Sequence, residues 1–383
     1  MAIAFWTAAF LIAYIYVGYP ILTALMAGRR EDVARDAAYR PTVSILIPAH
    51  NEAAVIGETL RNKLALDYPA DRLEIIVVSD ESTDGTDAIV EAIAQTAPLP
   101  IRLERQSPRR GKTAGINRLA TLAKGDILAF ADANSIWDEQ ALAHLVSGLA
   151  DPGVGYVTGK MVYVHEDGTL VGDGCGAYMR YENWLRTRET QMGSVVGVDG
   201  GIDAMRRRLY TPLRPDQLPD FVQPLKVIEQ GYRAVYEPNA LLKEAAVATS
   251  DGEFSMRVRV TLRALWALKD MAHLMNPGRD SRFALQLVSH KLLRYLAFLP
   301  LATAAGTSLA LAGSHMVYLA AALAQGAFYA AALVGWQFDR AGKGLPTAVN
   351  LAYYFSLLNL ACLWAAISFC RGDRRATWTP RKG

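Results

Sequence analysis

The stretch Ile127-Leu128-Ala129-Phe130-Ala131-Asp132-Ala133-Asn134 decides the fold. Its apolar run has the length of a buried strand, and a carboxylate and an amide follow where that strand would emerge. In α/β proteins ligands bind at such strand ends. Asp132 and Asn134 lie two residues apart, so in extended backbone both side chains point to one side. Two adjacent oxygen ligands suit a hard cation such as Mg²⁺ or Mn²⁺. The same pattern also serves turns in which Asp and Asn cap local backbone groups.

Upstream, the pattern is strand, loop, helix, repeated. Val43-Ser44-Ile45-Leu46-Ile47 reads as a strand ended by Pro48, and Ala53, Ile56, Leu60 and Leu64 then recur at helical spacing. Glu74-Ile75-Ile76-Val77-Val78 is a second strand, and Asp84-Gly85-Thr86-Asp87 punctuates before a helix over Ala88 to Ala94. Strands alternating with helices require crossover connections, so the expected sheet is mostly parallel. Glu52, Asp80 and Asp132 follow the three strands in turn, which predicts one polar cleft at their C-terminal ends. No glycine-rich turn follows the first strand, and Arg110-Gly111-Lys112-Thr113 lacks the upstream glycine of an NTPase phosphate loop. Lys112 could still meet a phosphate as a point charge, or be a solvated lysine at a helix start.

Composition separates this part from the rest of the 383 residues. The chain is 52% hydrophobic and 20% charged, yet charge is missing from long stretches near both ends, the pattern of a membrane protein with a soluble insert. Residues 3 to 27 predict a spanning anchor, and apolar runs at about 295 to 313, 316 to 336 and 347 to 370 approach spanning length. Arg29-Arg30 after the anchor places the soluble part in the cytoplasm by the positive-inside rule. Three later crossings would leave the C-terminus outside, although Arg371, Arg374, Arg375, Arg381 and Lys382 outnumber Asp373 five to one there. Either one run is re-entrant or interfacial, or the tail breaks the rule. A net charge of +3 without a basic, aromatic-interleaved stripe argues against nucleic acid. Cys175, Cys362 and Cys370 suggest neither a disulfide framework nor a thiolate metal site.

Six segments, in order, carry a resemblance: Ile47-Pro48-Ala49-His50-Asn51-Glu52, Val78 to Thr86, Gly111-Lys112-Thr113-Ala114-Gly115-Ile116-Asn117, Phe130 to Asn134, Gly200-Gly201-Ile202-Asp203-Ala204-Met205-Arg206, and Gly231 to Pro238. Together they resemble the family 2 inverting glycosyltransferases, whose membrane members include exopolysaccharide, hyaluronan, chitin and cellulose synthases. The resemblance implies an α/β GT-A nucleotide-sugar domain over 41–250, set between an N-terminal anchor (1–30) and C-terminal transmembrane helices (290–370). An interfacial helix would occupy 251–280, where Arg257, Arg259, Arg263 and Lys269 mix with Val258, Leu262, Leu265 and Trp266, and a basic tail 371–383. The site would lie at the cytoplasmic face of the inner membrane.

Roles follow from the same resemblance. Pro48, Glu52 and Asp80 would hold the uridine of a UDP-sugar, with Lys112 close to the nucleotide. Asp132, helped by Asn134, would bind Mg²⁺ or Mn²⁺ on the diphosphate, since a cation there stabilises the charge of the leaving group. Glu52 also suits the first turn of a helix. Asp220, in Leu218-Pro219-Asp220-Phe221, falls on the family's catalytic base, although Pro219 replaces the acid that usually precedes it. The plain alternative is a helix cap near Phe221. Gly200, Gly201, Arg257 and Arg259 would line the acceptor site. Val260 stands where processive polymerases carry tryptophan, so transfer of one or a few sugars to a saccharide or lipid-linked acceptor is expected over long-chain polymerisation. A catalytically silent nucleotide-sugar-binding partner of an assembly complex is the competing reading. Asp132 and Asp220, both present, favour an enzyme. The loops around His165, Glu166 and Asp173 would contact the sugar, and their residues do not specify which.

Overall fold

A computed structural model describes residues 1–28, 32–164, 174–245, 250–341 and 346–374. Arg29, Arg30, His165, Glu166, Asp173, Arg375, Arg381 and Lys382 lie outside the described residues. The chain divides into two compact units, one formed by Ala27–Thr169 and Arg186–Ala245, the other by Met1–Met26, Leu170–Leu185 and Ala246–Arg374.

The first unit is built on an eight-stranded sheet of order β3-β2-β1-β4-β7-β6-β8-β5. Its strands are β1 (Val43–Ala49), β2 (Leu73–Asp80), β3 (Ile101–Gln106), β4 (Ile127–Phe130), β5 (Ile136–Trp137), β6 (Val154–Val164), β7 (Asp203–Arg206) and β8 (Arg233–Ala245). β1, β2, β3 and β4 pair in parallel, as do β6 and β8, while β7 and β5 run antiparallel to their neighbours. The three strands expected from sequence are present as β1, β2 and β4. Every residue of β1 and of β4 is buried, which is why both read as near-continuous apolar runs. β3 lies at the sheet edge, and its Arg102, Glu104 and Arg105 disguise it as a loop.

The helix Lys112–Leu122 packs on β1 and β2, and Ile116 and Leu119 enter one core with Leu46, Ile76, Val78, Leu128, Phe130 and Met205. Gly115 permits that approach, because a Cβ there would come within 2.7 Å of Val78. The helices Ala141–Gly148 and Pro219–Glu229 pack on β6 and β8.

In the second unit, Ala2–Met26, Met316–Arg340 and Thr347–Cys370 are long and apolar enough to cross a membrane. The remaining apolar run is different. Helix Phe298–Leu311 follows Ser281–Tyr295 after a break with a 56° bend. The helix Ser250–Asp270, followed by a 3₁₀ turn at Ala272–Met275, covers the segment expected to be interfacial. Its Val258, Leu262 and Leu265 pack against Ala361 and Ala365 of Thr347–Cys370, and the Trp266 ring lies 4.5 Å from that of Phe369. Arg263 and Lys269 thus share a helix whose apolar stripe is covered by another helix.

Candidate active site

The loop after β4 is held from helix Ile56–Leu64. Thr59 donates to the carbonyl of Ala133 (2.6 Å), and the fully buried Lys63 ammonium donates to the carbonyl of Ser135 (2.6 Å) while lying 4.5 Å from the Trp137 ring centre. Burial pushes the Lys63 ammonium well below the usual lysine range. Within the loop the Asp132 amide donates to Ser135 Oγ (3.1 Å). Asp132 is therefore presented by a fixed turn, with its own side chain 41% exposed.

Across from it stands Asp220. The helix Pro219–Glu229 begins one residue before it, and the N-cap, Leu218, has no side-chain cap. Asp220 thus sits in the first turn instead of capping the helix, and its Oδ2 faces Lys112. Lys112 joins the two acids: its Nζ is 2.6 Å from Asp132 Oδ1 and 3.1 Å from Asp220 Oδ2. Burial would lower the Lys112 ammonium, but Asp132 and Asp220 outweigh it and raise it above the ordinary lysine value. The position of Lys112 relative to Asp220 is set by its helix. Thr113 Oγ1 donates to the carbonyl of Gln217 (2.9 Å) and Asn117 Nδ2 to that of Leu213 (2.7 Å), so the segment leading into Pro219 is tied to the helix that carries Lys112.

Gly200 and Gly201 run between the same acids. Both have positive φ, +77° and +71°; a Cβ on Gly200 would meet the Asp220 carboxyl at 2.9 Å, and one on Gly201 would meet Ser135 Oγ at 2.8 Å and approach Asp132 Oδ2 at 3.5 Å. The Gly201 carbonyl accepts from Trp137 Nε1 (2.7 Å). Directly after them Asp203 is fully buried. Burial, and then the nearby Asp220, push its carboxyl well above the usual range. Sequence reading included Asp203 in a motif without giving it a role. Its pairing in register with apolar Phe130, which marks it as unusual, exists only in the folded sheet.

The residues expected at the nucleotide divide. Pro48 is buried within β1, in register with Val78. Asp80 is 1% exposed, accepting from Gln106 Nε2 (2.6 Å) and the Arg110 amide (2.8 Å) on one oxygen and the Gly111 amide (2.8 Å) on the other. The direct base contact that the resemblance implies would require this network to open. As it stands, Asp80 fixes the loop that delivers Lys112. Glu52 is half-buried, and burial, followed by the charges of Asp132 and Asp84, pushes its carboxyl up to about 7. Arg257 and Arg259 belong to the other unit.

A pH dependence follows from Glu52. Its folded value lies above its ordinary 4.5, so between about 4.5 and 7 the folded chain holds a proton that the unfolded chain has released. Stability is then lost as pH rises through that window. In EDTA, Glu52→Gln should melt higher than the parent at pH 8 and level with it at pH 4. A melting difference that stays constant across pH would contradict the assignment.

Among the described residues no three His, Cys, Asp or Glu side chains converge on a metal position. Asp132 and Asn134 supply at most two protein oxygens, which fits a hard cation that draws its remaining ligands from a bound diphosphate and water. They do not fit a preformed, tight cation cage.

A mostly parallel sheet with acids at its strand ends and a second carboxylate beside Lys112 has the architecture of a GT-A-type domain. Residues 44–211 match the family model for glycosyl transferase family 2, and the domain belongs to that family. The chain is 38% identical over 134 residues to a probable glycosyltransferase, YdaM, of Bacillus subtilis, covering 34% of this chain and 32% of that protein. It is 30% identical over 156 residues to a beta-monoglucosyldiacylglycerol synthase of Synechocystis, covering 40% of this chain and 33% of the relative. The chain thus spans about a third of the length of these relatives. Over nearly its whole length it is similar to a solved mannosyltransferase, PcManGT of Pyrobaculum calidifontis in complex with GDP-Man and Mn²⁺ (TM-score 0.74, 29% identity, 97% of this chain and 99% of that one).

Proposed function

We propose that the chain is a membrane-bound inverting glycosyltransferase that moves a sugar from a nucleoside diphosphate sugar to a saccharide or lipid-linked acceptor in a single displacement. The observation that carries this reading is the Asp132, Lys112, Asp220 line, in which one ammonium joins an acid at a strand end to an acid suited to be a base. Asp220 accepts the proton of the acceptor hydroxyl as the oxygen attacks the anomeric carbon, and inversion follows because attack and departure are on opposite faces. Lys112 stands between the two acids and offers positive charge to the departing diphosphate. Asp132 and Asn134 would hold a divalent cation, Mg²⁺ or Mn²⁺, whose charge would stabilise that leaving group. Gly200 and Gly201, without side chains, leave room for the Asp220 carboxyl and the Ser135 hydroxyl in the cleft.

The bent helix pair also supports a topology. Phe298–Leu311 is about 21 Å long at 1.5 Å per residue, short of the ~30 Å hydrocarbon core, whereas Met316–Arg340 and Thr347–Cys370 exceed it. With the short helix re-entrant, only Met316–Arg340 and Thr347–Cys370 cross after the domain, and two crossings return the chain to the domain's side. The basic residues after Cys370 and the catalytic domain then share the cytoplasmic face.

Purified protein in detergent, offered a panel of UDP- and GDP-sugars, should release nucleotide only with Mg²⁺ or Mn²⁺. Both bases belong in the panel, because the whole-length structural relative was solved with GDP-Man. Nucleotide release at full rate in EDTA would overturn the metal-assisted reading. Calorimetry adds a separate expectation: Mn²⁺ should bind weakly to the empty protein, and about tenfold or more tightly once the nucleotide diphosphate supplies its oxygens. Tight binding by the empty protein would show that Asp132 and Asn134 are not the site.

A further inference from the structure

One buried network joins the turn that presents Asp132 to the glycine pair beside Asp220. It starts on helix Ile56–Leu64, where Thr59 and Lys63 stand one helical turn apart and so share a face. Both side chains are fully buried. Thr59 holds the carbonyl of Ala133 and Lys63 that of Ser135, so the two bonds, each 2.6 Å, fall on either side of Asn134. Ser135 closes the turn on Asp132, its amide donating to the Asp132 carbonyl (3.1 Å) and its hydroxyl accepting from the Asp132 amide (3.1 Å).

Lys63 also donates to Asn62 Oδ1 (2.8 Å), and Asn62 takes both backbone groups of Trp137: Oδ1 accepts from its amide (2.9 Å) and Nδ2 donates to its carbonyl (2.8 Å). The Trp137 indole continues the network to the Gly201 carbonyl (2.7 Å). The Lys63 ammonium meets two neutral oxygens and the face of the Trp137 ring, which match its three donors, and among the described residues no carboxylate pairs with it. A lysine is almost never fully buried without a paired charge. Buried charge is also a poor source of stability, since an apolar side chain of similar volume often packs as well. What the ammonium supplies is direction, because it fixes a carbonyl of the turn that carries both expected cation ligands.

We propose that Lys63 and Thr59 are positioning residues for the cation site and Trp137 a positioning residue for the base. Lys63 and Thr59 pin the backbone before and after Asn134, so that Asp132 and Asn134 face the cation together. Trp137 holds Gly201, and with it the Gly200 backbone against which the Asp220 carboxyl rests. Asn62 ties the two halves to one helix. The inference rests on the roles proposed above for Asp132 and Asp220.

The test uses the full chain in detergent and reads Mn²⁺ binding directly, by electron paramagnetic resonance of the free ion, with UDP or GDP present. Nucleotide binding in EDTA and release of nucleotide from the sugar donor are measured on the same preparations. Lys63→Met keeps the side chain's length and drops its donors, and Thr59→Val is isosteric and drops one. Each should weaken Mn²⁺ binding about 10–100-fold, the usual effect of removing a group that orients a metal ligand, with nucleotide binding in EDTA unchanged and release recovered at high Mn²⁺. Trp137→Phe keeps a ring and loses the indole N–H. It should leave Mn²⁺ binding at the parental level and slow release about tenfold or more, with no recovery from added Mn²⁺. Thr59→Val decides the cation half if Lys63→Met fails to fold. Parental Mn²⁺ affinity in the folded variants would overturn that half, as would equal losses of Mn²⁺ and nucleotide binding, which mark side chains that only hold the fold. A Trp137→Phe defect cured by Mn²⁺, or no defect at all, would overturn the other half. If the parent itself takes up no Mn²⁺ with either nucleotide, the metal role of Asp132 falls and the cation half falls with it.

Discussion

Asp220→Asn is expected to cut sugar transfer by about 10²–10⁴-fold, the range a positioned general base contributes, while leaving nucleotide-sugar binding nearly unchanged. Asparagine keeps the shape of the side chain, which matters because Gly200 passes so close to the carboxyl that even a Cβ would meet it at 2.9 Å. What it removes is the site that takes the proton. The amide is also uncharged, so Lys112 keeps only Asp132 as an acidic partner. The informative measurement pairs single-turnover transfer with equilibrium binding of the donor. A variant that binds the donor and transfers at the parental rate would remove Asp220 from the chemistry and restore the reading of an ordinary first-turn acid.

Lys112→Met should lower kcat/KM by about 10²-fold at neutral pH and shift the acid limb of its pH profile upward. Without the ammonium, Asp132 and Asp220 lose their shared counter-charge and repel each other, so Asp220 holds its proton to higher pH. A protonated carboxyl cannot act as the base, and activity should recover partly as pH rises. The control is Lys112→Arg, which keeps the charge but replaces a compact point donor with a planar fork. Equal losses at every pH, with no movement of the limb, would confine Lys112 to the diphosphate and exclude a role in keeping Asp220 ionised.

Much of the sheet was legible because of how burial writes itself into sequence. β1, β2 and β4 are parallel and covered on both faces, so they appear as runs of Val, Ile and Leu, and the acids that follow them mark the strand ends. β3, an edge strand with alternating charges, left no such run. β6 and β8 are long and include half-buried polar residues, and β7 has only four residues, Asp203 to Arg206. None of the three presents a pattern that local periodicity can separate from a loop. In the membrane unit the apolar lengths were visible, but the break between Tyr295 and Phe298 was not, because composition counts residues and not direction.

The site divides along the same line. Sequence alone supplied the strand-end acids, the glycine pair, Asp220 as a residue of interest and the apolar segments that flank the domain. It could not say that Asp80 turns inward onto Gln106 and the Arg110 and Gly111 amides, or that buried Lys63 props the turn presenting Asp132. Nor could it place Lys112 between Asp132 and Asp220. Strand and helix periodicities are local and reach a few residues along the chain. An ion pair depends on where two distant helices come to rest on one sheet, and here the hydrogen bonds of Thr113 and Asn117 to the chain before Pro219 decide that distance.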